Sequence, residues 1–152
     1  MPEGIIYFRT LSDFEKLHKL TESKLEFCVI GAGFIGSEIA AALAQQGKSV
    51  TMIFPEIGIA GRVFPDDLSK YMNQYYVEKG VKVLAGNLVR RVEKEGDNYL
   101  VTYTNAESGE ELTATFDGVV VGIGIKPNIY LAEEAGLAVD NGILVKDRKS
   151  VV

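Results

Sequence analysis

Leu25-Glu26-Phe27-Cys28-Val29-Ile30-Gly31-Ala32-Gly33-Phe34-Ile35-Gly36 is an apolar run that breaks into three glycines spaced G-x-G-x-x-G. Leu25 to Ile30 reads as a buried strand. Phe34 to Gln46 is rich in Ala, Ile and Leu and stops at Gly47, which suits a helix with a glycine after its end. Ser49 to Phe54 is a second strand, broken by Pro55. A glycine turn after a strand and at the head of a helix has a specific physical use. The first Gly permits the tight turn and the second lets a pyrophosphate approach the backbone. The third lets helix and strand pack closely, and the helix start presents free N–H groups to an anion. The motif therefore predicts a dinucleotide site at Gly31, Gly33, Ile35 and Gly36; the competing reading is a glycine turn that serves packing alone.

The rest of the chain extends this unit. Leu11 to Leu20 has apolar residues at 11, 14, 17 and 20, with Ser12 and Asp13 near its start, so a short helix is expected in the leading segment 1–24. A loop from Pro55 to Pro65 leads into a helix over Asp66 to Lys79, with Leu68, Met72, Tyr75 and Tyr76 on one side and Gly80 as its stop. Val81 to Ala85 reads as a third buried strand. Short strand candidates then follow at Leu88–Lys94, Tyr99–Thr104 and Glu111–Phe116, separated by turn residues. Val119 to Ile123 returns to a buried strand, Ile129 to Ala135 is a short helix, and Ile143-Leu144-Val145 is a last small strand. The expected fold class is α/β, a Rossmann-like parallel sheet carrying a three-stranded antiparallel β insert at 88–116.

An acidic residue about 20 positions beyond the glycines is the second test of a dinucleotide site. Glu56 lies 20 residues after Gly36. A carboxylate there accepts from the adenosine ribose 2′-OH and repels a 2′-phosphate, which favours NAD(H) over NADP(H). The strand end itself holds Phe54, and Arg62 is near enough to contact a 2′-phosphate. Glu56 as a solvated loop charge is the other reading.

Three stretches taken in order resemble a known family. They are Val29 to Glu38, Phe54-Pro55-Glu56, and Val119-Val120-Val121-Gly122-Ile123-Gly124-Ile125-Lys126-Pro127-Asn128. Together they resemble the NAD-binding domain of pyridine nucleotide-disulfide oxidoreductase-type flavoproteins, in the branch of ferredoxin reductases, monodehydroascorbate reductases and apoptosis-inducing factors. Tyr7 to Asp13 resembles the segment that precedes this domain, and the resemblance covers nearly the whole chain. It implies that Glu38 faces the nicotinamide ribose region, with a favourable helix-dipole contact as the alternative. It implies that Phe34 lines the nicotinamide side, with plain packing as the alternative. It places Glu56 and Arg62 near the adenosine, Arg62 as a planar cation able to stack on adenine or as an exposed loop arginine. Gly122 and Gly124 would let the cofactor backbone come close, or serve a tight strand exit before Pro127.

Length and composition limit what such a chain does. Its 152 residues suit one domain over 1–152. The family's full enzymes carry a separate FAD-binding part, which this chain is expected to lack, its end at Lys149-Ser150-Val151-Val152 falling about where a second FAD segment would begin. The expected function is an NAD(H)-binding domain that presents nicotinamide to a flavin held outside the chain, FAD being implied for a longer parent; whether the chain alone is an enzyme stays open. The alternative is a stand-alone NAD-sensing regulatory module, which would continue as repeated strand–helix units; the antiparallel segment and the Gly122–Asn128 motif argue against it. A methyltransferase shares the glycine loop, but nothing else here matches one.

With 16 basic and 21 acidic residues the net charge is −5, and no basic stripe offers a nucleic-acid surface. Apolar runs break well short of about 18 residues, so no membrane span is expected. The start, Met1-Pro2-Glu3-Gly4, does not look like a signal peptide. A single cysteine, Cys28, cannot form an internal disulfide and reads as an inert core thiol, and the default compartment is the cytoplasm. His18 reads as a surface or packing residue and Tyr71, Tyr75 and Tyr76 as packing. No catalytic triad, carboxylate pair or metal-ligand spacing stands out.

Overall fold

The computed structural model describes residues 3–145; the two ends of the expected domain, 1–2 and 146–152, lie outside the described residues. In chain order the elements are β1 (Ile6–Tyr7), α1 (Leu11–Ser23), β2 (Glu26–Ile30), α2 (Phe34–Gln45), β3 (Ser49–Phe54), α3 (Asp66–Glu78) and β4 (Val81–Ala85). There follow β5 (Asn87–Glu95), β6 (Asn98–Asn105), β7 (Glu111–Phe116), β8 (Gly118–Val121), α4 (Tyr130–Glu134), β9 (Val139–Asp140) and β10 (Gly142–Ile143).

Strands β1, β8, β2, β3 and β4 form one five-stranded sheet in that order, and every pairing is parallel. Strands β5, β6 and β7 form a separate antiparallel sheet of three. The α/β architecture with an antiparallel insert is as expected. What the pattern did not reveal is that the insert acts as a third layer. Alternate residues of a strand face opposite sides. Phe27 and Val29 of β2 face a core shared with Leu17, Ala40, Leu43 and Tyr76 of the helices. Cys28 and Ile30 face a second core made with Val92, Tyr99, Val101, Tyr103 and Phe116 of the insert. The central strands are buried on both faces, one face by helices and one by a β-sheet.

Several local expectations need correction. Strand β1 was not foreseen; two residues are too few to show a period, and it pairs with Val120 and Val121 of β8. Helix α1 is capped by Thr10, with Asp13 closing a capping box. Its inner residues are Leu17 and Thr21, while Leu11 and Phe14 are exposed. In α3 the buried residues are Ser69 and Tyr76; Leu68, Tyr71 and Tyr75 are exposed, so Tyr71 and Tyr75 are not packing residues. The cause is a close crossing, since a Cβ on Gly58 would lie 2.5 Å from the Ser69 carbonyl. Strand β4 is a sheet edge, buried only at Val81. Strand β8 ends at Val121, which leaves Ile123 exposed, and the expected last strand is one arm of the small β9–β10 hairpin, with Leu144 and Val145 outside it. Among the described residues, no helix is long and apolar enough to cross a membrane.

The topology fixes where a ligand fits. From β2 the chain winds outward to β3 and β4, then returns to place β8 on the other side of β2. The two directions diverge at the carboxyl ends of β2 and β8, the crevice position of open α/β sheets. Ile30 and Val121 are partners in register, so Gly31 and Gly122 leave the sheet side by side.

Candidate functional site

The crevice is built on glycine backbone. Gly31 has φ +98°, and a Cβ there would sit 2.6 Å from the Gly122 carbonyl oxygen. A Cβ on Gly36 would sit 2.2 Å from the Gly31 oxygen, and one on Gly122 would sit 3.0 Å from the Gly36 amide nitrogen. Loop, helix and return strand therefore interlock backbone to backbone. Two amides pin the exits: Gly31 N–H donates to Ile53 O (3.0 Å) and Gly122 N–H to Ile30 O (2.8 Å).

Gly33 differs from these three. It is the N-cap of α2 at φ −73°, ψ −171°, a conformation open to any residue, and a Cβ there would meet no atom within 4 Å. Nothing among the described residues requires a glycine at that position. It also offers no side-chain oxygen to cap the helix. The first amides of α2 therefore have no side-chain cap, an arrangement suited to an anion. The cradle left at Gly33 fits a phosphate-bearing group brought against the backbone.

Around this point lies a cleft of about 680 Å³, within the range of small-molecule sites. Gly31 to Ile35 form one wall and Val121 to Ile125 another. Phe34 and Ile35 lie on it, Phe34 exposed rather than packed. Gly124, at φ +113°, lines it with open space at its own Cβ position. The loop after β3 closes the far side with Glu56 and Arg62. Among the described residues these two are the only charged side chains on the lining, and they pair directly, Arg62 Nε donating to Glu56 Oε1 at 2.6 Å. The Phe54 strand end does not line the cleft. Gly36 sits behind it as a packing residue, and Glu38 lies on the exposed surface of α2, in the second helical turn and off the lining.

Sequence reasoning missed several parts. Leu88 and Val89, at the start of the insert, line the cleft, as does Val63, and no local pattern marks these three; Ile123 and Ile125, which flank Gly124, line it as well. Asn73 of α3 clamps the acidic loop, its amide donating to Ile57 O (2.9 Å) and its oxygen accepting from Ile59 N–H (3.0 Å). Ala60 N–H donates to Ala32 O at 2.7 Å, docking that loop onto the glycine turn, and Ala60 holds φ +55° to do so. A polar residue on the loop-facing side of a helix was the available signal for Asn73; only the backbone reveals Ala60.

Burial pushes the Cys28 thiol up, which fits the inert core thiol expected of it. His18 is exposed and stacks on Phe14, as a surface histidine would. Among the described residues, no three His, Cys, Asp or Glu side chains cluster to hold a metal. The lining offers backbone donors, apolar walls and one ion pair. Its chemistry is that of binding and orienting a ligand.

The profile of the pyridine nucleotide-disulphide oxidoreductase family matches residues 1–151. Monodehydroascorbate reductase 4, peroxisomal, of Arabidopsis thaliana is 38% identical over 148 residues, covering 96% of this chain and 30% of the relative. Rhodocoxin reductase of Rhodococcus erythropolis is 38% identical over 144 residues, covering 95% of this chain and 33% of the relative. Among solved structures, a ferredoxin reductase from Rhodopseudomonas palustris superposes with TM-score 0.81 at 33% identity, covering 94% of this chain and 34% of that one. The chain spans about a third of the length of the curated relatives it matches. Motif, topology and profile agree, and the chain belongs to the pyridine nucleotide-disulphide oxidoreductase family, in the branch of the ferredoxin and monodehydroascorbate reductases.

Proposed function

We propose that this chain is a nicotinamide-dinucleotide-binding domain, selective for NADH, of a longer FAD-dependent oxidoreductase. The observation that carries the reading is Gly33, whose missing side chain leaves a space that none of the described residues fills, at the head of a helix. The pyrophosphate would lie against Gly31, Gly33 and the first amides of α2, including that of Ile35. Glu56 would accept from the adenosine ribose, and Arg62 lies beside it. Phe34, Gly122 and Gly124 would border the nicotinamide half, with Glu38 toward its ribose. A bound NADH would supply the hydride, and the acceptor would be an FAD held by another part of the parent protein. The chain's own residues bind, orient and select, and none of them is assigned a proton-transfer role.

Titration calorimetry on the 152-residue chain tests the reading. One NADH per chain is expected, with NADPH weaker, and the purified chain should be colourless. A folded chain that binds neither dinucleotide at millimolar concentration refutes the proposal, and stoichiometric bound flavin refutes the division of labour.

A further inference from the structure

Glu56 and Arg62 are six residues apart, yet their side chains meet. The loop between them is held at several points. Gly86 N–H donates to Glu56 O at 3.0 Å, Asn73 holds Ile57 and Ile59, and Ala60 is tied to Ala32. Gly61 N–H donates to Gly58 O at 3.1 Å, and a Cβ on Gly61 would come within 3.3 Å of Glu56 Cβ. The loop therefore folds back so closely that the Arg62 side chain reaches across the carboxylate. Glu56 is the sheltered partner, its side chain 21% exposed against 76% for Arg62.

We propose that Arg62 is a positioning residue that sets the choice between NADH and NADPH through Glu56, and not by a contact of its own with the dinucleotide. This rests on the dinucleotide reading of the cleft. One carboxylate oxygen is engaged by Arg62 Nε, which fixes the carboxylate and leaves its other oxygen to accept from ribose hydroxyls. The same bond commits the guanidinium charge. A 2′-phosphate then meets a neutral pair and a carboxylate oxygen rather than a free cation. Removing the carboxylate should release Arg62, whose fork of donors suits a phosphate. Selectivity thus has an attractive and a repulsive element in one ion pair.

A double-mutant cycle separates this from an independent role for Arg62. Affinities for NADH and NADPH are measured by calorimetry on the chain, on Glu56→Ala, on Arg62→Ala and on the double variant. Both side chains lie at the surface of a loop whose anchors are backbone bonds and Asn73, so the variants keep the fold. Arg62→Ala should weaken NADH about three-fold, the scale of an exposed pair, and should have no effect on NADH once Glu56 is Ala. Glu56→Ala should strengthen NADPH about ten-fold, and the double variant should lose that gain. Equal losses for both dinucleotides on Arg62→Ala, in either background, would show a direct adenosine contact and overturn the proposal while leaving the site intact. No NADPH gain on Glu56→Ala would overturn it as well. A wild-type chain that is folded and binds neither nucleotide would overturn the dinucleotide reading and this inference together.

Discussion

Replacing Gly33 by alanine should separate binding from folding. The backbone there sits at φ −73°, ψ −171°, and the new Cβ meets nothing within 4 Å. Two small terms oppose each other. Restricting the unfolded chain stabilises the variant by about 0.4–1 kcal/mol. Alanine is a poorer N-cap than glycine, at a cost of about 0.5–1 kcal/mol. The sum is near zero, so Tm should stay within about 2 °C of the parent. For a ligand pressed against the backbone the methyl group is an overpacking event of about 1–3 kcal/mol. That corresponds to a loss of about 5- to 150-fold in NADH affinity. Gly31→Ala is the control with the opposite profile. It forces a side chain into φ +98° and against the Gly122 carbonyl, and should destabilise by at least about 3 kcal/mol, or about 6–12 °C in Tm. Calorimetric binding and thermal melting on both variants supply the readouts. If Gly33→Ala binds NADH as the parent does, the open space is not a ligand site.

Other outcomes follow from single observations. Ala60→Gly relieves a left-handed alanine (φ +55°) and should raise stability by about 0.5–1 kcal/mol in urea denaturation, because the strain removed exceeds the entropy added. Cys28 is fully buried with its thiol pushed up, so a thiol-reactive probe at pH 8 should label it only at the rate of unfolding; fast labelling of native protein would contradict its burial. The Glu26 and Leu25 amides donate to Asp117 Oδ2, each at 2.9 Å, and hold its carboxyl below the usual range. A depressed folded value gives stability that is present at neutral pH and lost as pH falls through it, so Asp117→Asn should cost about 1 kcal/mol at neutrality. That gap should close below about pH 4 in denaturation series, and a gap independent of pH would exclude the charge as its cause.

What could be read from the chain was whatever is encoded within one element and its flanks. The β2–glycine–α2 unit is such a case: a run buried on both faces, a turn and an alanine-rich helix lie within 23 residues, from Leu25 to Gly47. The parts that escaped reading depend on distant contacts. Leu88 reaches the cleft because the insert lies on the sheet face opposite the helices. Ser69 is buried because Gly58 removes a side chain from a crossing. The Glu56–Arg62 pair exists because Asn73 and Ala32 fold the intervening loop back. Periodicity reports which side of an element is apolar. It does not report which polar groups a loop closure brings together.

The glycines at 31, 33, 36 and 122 divide into two kinds, and the division bears on what the fold is for. At 31, 36 and 122 the missing side chains are filled by one another's backbones, so these glycines are requirements of the crossover itself and would be needed with or without a ligand. At 33 the missing side chain faces no described atom within 4 Å. A chain shaped only for packing would gain from a side-chain cap such as Ser or Asp at that helix start, by about 0.5–2 kcal/mol over alanine but only a few tenths over glycine. The small sacrifice in stability is therefore affordable if it opens the helix amides to an anion. The glycine motif becomes a statement about function only at this one position, and the other three explain why the position is held rigid enough to matter.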